Sequence, residues 1–147
     1  MQLTLHEHRA PAVDDTPRPP SVAMCFLTLS YVWVALRLIG LQRTLKGLRR
    51  FERSDHIRNS VTTEAILATV LRNSAIAGAW YPGRARCLER SVTLAFLLRR
   101  QGIDAKLRIG VRQYRPGAHA WVEFQGRPIN ESAEEIRKVT LLPDIPL

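Results

Sequence analysis

The chain predicts an α+β fold, with helices first and a small antiparallel sheet last. Two observations carry this. Apolar residues recur at helical spacing in segments before Gln101-Gly102, and strict two-residue alternation sets in only from Ala105. Pro82 and Gly83 break the chain just ahead of a helix that opens near Cys87. A length of 147 residues suits one domain with a real core. Residues 22–147 are expected to form it, and residues 1–21 to be a disordered tail.

The elements follow in order. Met1 to Ser21 holds Pro11, Pro17, Pro19, Pro20, Asp14 and Asp15 with little periodic apolar signal. Its acids and prolines, with no clean cleavage site, do not make a signal peptide. Val22 to Leu36 is an uncharged, mostly apolar run ending at Arg37. It is short of the ~20 residues that span a bilayer. Two readings stay open for residues 22–41: a helix packed on the domain or a partner, or a membrane-contacting helix. Arg43, Lys46, Arg49, Arg50 and Arg53 would suit anionic lipid, and equally a solvated helix face. Ser54-Asp55 can cap a new start, and Thr62 or Thr63 with Glu64 opens a helix through Ala79.

After Pro82-Gly83, Cys87, Ser91, Leu94 and Leu98 fall on one helical face. Cys87 sits in the first turn, where unpaired N–H groups and the positive end of the helix dipole favour a negatively charged sulfur. Ala105 to Val111 alternates, with Leu107, Ile109 and Val111 on one face. Tyr114-Arg115-Pro116-Gly117 has turn chemistry, and His119 to Phe124 alternates again, which makes an antiparallel hairpin. His119 shares a face with Trp121 and Glu123. A third run, Pro128 to Glu131, follows the turn at Gln125-Gly126-Arg127, with Ile129 and Glu131 on one face and Asn130 on the other. A helix-borne Cys, a strand-borne His and a polar residue on the next strand make the order of a papain-like triad.

Several motifs in that order carry a family resemblance. They are Arg86-Cys87-Leu88-x-Arg90-Ser91, Leu97-Leu98-Arg99-Arg100-x-Gly102-Ile103, Leu107-x-Ile109-Gly110-Val111-Arg112 and Ala118-His119-Ala120-Trp121-Val122-Glu123. Together they resemble the transglutaminase-like peptidase of lasso-peptide biosynthesis. That bacterial protein removes the leader from the precursor peptide, alone or as the C-terminal half of a fused B protein. The match is dense from Trp80 to Glu131.

The resemblance implies a papain/transglutaminase-like fold, in which a Cys-bearing helix packs on a small antiparallel sheet behind N-terminal helices. It implies Cys87 as nucleophile and His119 as general base. Where the family usually has Asn-Asp after the hairpin, this chain has Asn130-Glu131. Glu131 is therefore the candidate to orient His119, with Asn130 as the alternative and Glu123 a contender if the strand register differs. The family implies a precursor leader peptide as substrate, a separate leader-recognition protein, and a separate ATP-dependent lasso cyclase acting on the freed core. Nothing before Arg49 has the strands of a leader-binding domain.

The remaining features weigh lightly. The net charge of +9 suits an acidic partner without choosing one. Arg84, Arg86 and Arg90 could meet an acidic substrate, and Trp121 and Trp80 are expected as core or pocket wall, with Trp121 a weaker candidate for substrate contact. Cys25 and Cys87 do not form a disulfide framework, which fits a reducing cytoplasm. His6, His8 and His56 have no ligand spacing with either cysteine, so no metal or other cofactor is expected. The chain lacks an aromatic-interleaved basic strand or a helix-turn-helix, which speaks against a nucleic-acid partner. The rival functions are an acyl transferase using the same Cys and His, and a non-catalytic basic binding module.

Overall fold

Ser21 accepts a hydrogen bond from the amide of Met24 and so starts the first helix, α1, Val22–Leu38. The computed structural model describes residues 18–50, 60–83, 85–112 and 117–143, and of residues 60 and 61 the backbone alone. The Ser54-Asp55 cap, most of the Tyr114-to-Gly117 turn and residues 1–17 of the expected tail lie outside them. Arg18 to Ser21 are held by the domain: Asn73 Nδ2 donates to Pro20 O at 2.8 Å. Gly40, at φ +78°, separates α1 from α2, Leu41–Arg49. A third helix, α3, runs from Ser60 to Ala79, two residues earlier than its Thr62-Glu64 start signal suggested.

The fourth helix, α4, Cys87–Arg100, is the centre of the fold. Its buried residues, among them Val92, Leu94, Ala95, Leu97 and Leu98, pack against α1, α3 and one face of the sheet. It ends in a Schellman arrangement: Gly102, at φ +74°, donates to Arg99 O, and Ile103 N donates to Leu98 O. That closure turns the chain directly into β1, Ala105–Arg112.

The second strand, β2, Ala118–Phe124, pairs antiparallel with β1 from Ala105↔Phe124 to Val111↔Ala118. Gln125 and Gly126, both at positive φ, make the two-residue turn into β3, Arg127–Pro128. The short helix α5, Ala133–Arg137, then leads to β4, Val139–Leu141, on the free edge of β1. The order is β3-β2-β1-β4. The chain is thus α+β, with helices packed on a small antiparallel sheet, compatible with a papain/transglutaminase-like fold.

Two expectations need correction. The run from Pro128 to Glu131 is not a strand throughout, because pairing stops at Pro128 and residues 129–131 bend. Trp80 is 80% exposed and walls neither the core nor the cavity described below.

Candidate active site

Cys87 is the first residue of α4, and Arg86 before it supplies no side-chain cap. Helix geometry leaves the amides of this first turn without intrahelical acceptors, so they point toward whatever sits ahead of the helix. The sulfur is half-buried, and its Sγ lies 3.9 Å from the carbonyl oxygen of Ala118 on β2. One turn further, Ser91 Oγ donates to Ala120 O at 2.9 Å. Two side chains on one helical face thus reach alternate carbonyls of one strand, and they bring Cys87 to the residue next to His119.

His119 is buried, on the opposite side of the β2 pleat from Ala118 and Ala120. Its ring stacks on Trp121 with centroids 6.1 Å apart and planes 24° from parallel. Trp121 Nε1 donates to Glu123 Oε1 at 3.1 Å, and Glu123 Oε2 pairs with Arg108 Nε at 2.9 Å. The sheet leaves room on this face through Gly110, directly across from His119. A Cβ there would collide with Val139 Cγ1 and come within 2.7 Å of Thr140 O.

The bend after β3 delivers the acid. Asn130 Oδ1 accepts from Val122 N at 2.8 Å, and its Nδ2 donates to Ser91 Oγ at 3.0 Å. This fixes the direction of the next residue. Glu131 Oε2 stands 2.9 Å from His119 Nε2, and Glu131 Oε1 accepts from Ser132 N. The two atoms stand at ion-pair distance, and no directed hydrogen bond reaches Nε2 among the described residues. Of the three acids and amides considered from the sequence, Glu131 meets the imidazole. Asn130 is committed to Ser91 and β2, and Glu123 to Trp121 and Arg108.

A cavity of about 300 Å³ opens beside these residues. Cys87, Arg90, Ser91, Asn130 and Glu131 give it polar lining, while Leu29, Leu71, Ala75, Leu94 and Ile129 make apolar wall. Cys25 also lines it, from α1. Burial pushes the Cys25 thiol up, against the contact from Ser74 Oγ at 3.8 Å.

The substrate-contact candidates separate. Arg90 borders the cavity, and Gly78 on α3 makes room for its guanidinium, since a Cβ there would stand 3.1 Å from Nε. Arg86 is exposed beside Cys87, and Arg84 lies outside the described residues. Trp121 is wholly buried and cannot touch substrate; it backs His119 instead. The sequence reading missed Ser91 as the link between helix, strand and Asn130, although its place one turn after Cys87 on an apolar face was a signal. Among the described residues, no group of three or more His, Cys, Asp or Glu side chains is placed to hold a metal.

No curated protein and no solved structure shows significant similarity to the chain. A family model does: the one described as transglutaminase-like superfamily matches residues 27–143, which include α4, the whole sheet and all of the residues around His119. That superfamily includes cysteine peptidases and acyltransferases and consists generally of cysteine-dependent enzymes. Since the match spans well over half of its length, the chain belongs to the transglutaminase-like superfamily.

Proposed function

We propose that the protein is a cytoplasmic cysteine peptidase that removes the leader from a lasso-peptide precursor, with a Cys87-His119-Glu131 triad. The observation that supports this most directly is the convergence of Cys87 Sγ on the Ala118 carbonyl beside His119, whose far nitrogen faces Glu131 at 2.9 Å. Superfamily membership and the motif run from Arg86 to Glu123 support it as well.

In this reading the Cys87 thiolate adds to the carbonyl carbon of the scissile peptide bond. The resulting oxyanion takes a hydrogen bond from the Cys87 amide at the start of α4. His119, as imidazolium, protonates the leaving amine as the C–N bond breaks and a thioester forms. Water, deprotonated by His119, then cleaves the thioester and frees the carboxylate. Glu131 steadies the imidazolium. A separate recognition protein would bring the leader to the cavity, with Arg90 at its rim to meet an acidic segment, and a separate cyclase would close the ring on the released core.

The test is mass spectrometry of a precursor peptide incubated with the protein and a leader-binding partner, in parallel with Cys87→Ala. Leader fragment plus free core is expected with wild type and absent with Cys87→Ala. A product heavier by an added amine instead of water would establish an acyl transferase. Intact precursor in every reaction, with the protein folded and the partner bound, would remove the peptidase reading.

A further inference from the structure

Helix α1 is apolar on both sides. Cys25, Leu29, Val32 and Ala35 face the core. On the outer side Met24, Leu27, Tyr31, Val34 and Leu38 are 46%, 66%, 56%, 44% and 78% exposed. Their spacing of 3, 4, 3 and 4 puts them in one row about 21 Å long. Ile39 continues it at the corner into α2. An outer surface of this kind is covered in most proteins.

The charges nearby say by what. From Arg18 to Arg50 the chain holds no Asp or Glu, while Arg37, Arg43, Lys46, Arg49 and Arg50 are all exposed. Arg37 lies with its guanidinium 4.4 Å from the Trp33 ring centroid, next to the apolar row. A second copy of this chain would oppose one cationic surface with another, on a protein of net charge +9. A protein partner would need hydrogen bonds around the apolar row. The aliphatic hydroxyls of α1 already donate to their own helix, Thr28 Oγ1 to Met24 O and Ser30 Oγ to Phe26 O, at 2.8 and 2.9 Å, which leaves the row itself with the phenol of Tyr31 as its one hydroxyl. An anionic bilayer surface asks for apolar side chains flanked by cations and for no directed hydrogen bonds. No described helix is long and apolar enough to cross a membrane, and contact of this kind does not require one.

We propose that the outer row of α1, with the cationic side chains of α2, is a membrane-contacting face that lies on an anionic lipid surface. Met24, Leu27, Tyr31, Val34 and Leu38 enter the interface, and Arg37, Arg43 and Lys46 meet lipid phosphates. The face is separate from Cys87 and His119, so it stands or falls independently of the peptidase reading.

The experiment is cosedimentation of the full chain with vesicles of phosphatidylcholine containing about 30% phosphatidylglycerol, beside vesicles of phosphatidylcholine alone. Sedimentation velocity without lipid and the rate of Cys87 alkylation accompany it. Wild type is expected to bind the anionic vesicles, and to lose most of that binding between about 50 and 500 mM NaCl. Leu27→Glu with Tyr31→Glu should lower the partition coefficient by at least about tenfold, with melting temperature and alkylation unchanged, since both side chains are exposed. Wild type left in the supernatant with anionic vesicles would overturn the proposal. So would equal binding by the double variant, or a wild-type oligomer that the double variant dissolves, which would make the row a protein interface.

Discussion

Cys25 and Cys87 line the same cavity, yet they are built for opposite fates. Cys25 is the fourth residue of α1, its amide already bonded to Ser21 O, and it is wholly buried against Ser74, where lost solvation holds its thiol protonated. Cys87 opens its helix, half-exposed, with free first-turn amides and with His119 following the carbonyl its sulfur approaches. The cavity is common to both, so what separates the two thiols is burial, the first-turn amides and the partner on the next strand.

The sharpest way to break this contrast is to exchange the two roles. Cys87→Ala should reduce precursor cleavage by at least about 10³-fold, while Cys25→Ala leaves kcat close to wild type. Loss of cleavage in Cys25→Ala, with folding intact by circular dichroism, would mean that the contrast is wrong. Next in size, Glu131→Ala should lower kcat by about 10²-fold, and Asn130→Ala should lower it less while costing about 1–3 kcal/mol in chemical denaturation. The asymmetry follows from Glu131 facing His119 Nε2, whereas Asn130 ties Val122 to Ser91. Equal kinetic losses would place Asn130 in the triad.

Smaller effects sharpen the same comparison. Iodoacetamide on the native protein should label Cys87 and spare Cys25, with both labelled in denaturant, as read by peptide mass spectrometry. The smallest effect is on stability at alkaline pH. The folded state holds the Cys25 thiol protonated after the unfolded chain has begun to ionise it, so the native state binds more protons and stability falls as pH rises above about 8.5. Cys25→Ala should flatten that limb of the pH profile, and an unchanged slope would show that Cys25 is not its source.

Helix α4, the β1-β2 hairpin and the turn at Gln125-Gly126 were legible because each rests on short-range periodicity or on turn residues. Motif order paired Cys87 with His119, and the structure sets Cys87 Sγ against the carbonyl of Ala118, one residue before His119. The direction of Asn130 and Glu131 was not, because alternation assumes a continuing strand, and pairing ends at Pro128. Ser91, 39 residues earlier, helps to decide which way Asn130 turns. The last strand was missed for a related reason: Val139–Leu141 is too short to signal by itself and exists by pairing with the open edge of β1 beside Gly110.

The sequence by itself determined the α+β order, the helix that opens on Cys87, the strand that carries His119 and the apolar character of α1, since these depend on neighbours within a few positions along the chain. Only the tertiary structure decided which acid meets the imidazole, that Trp121 backs His119 instead of touching substrate, that Cys25 shares the cavity with Cys87, and that one row of α1 stays outside. Those outcomes depend on contacts between residues far apart in sequence, which are settled by how the helices and the sheet pack together and not by local spacing.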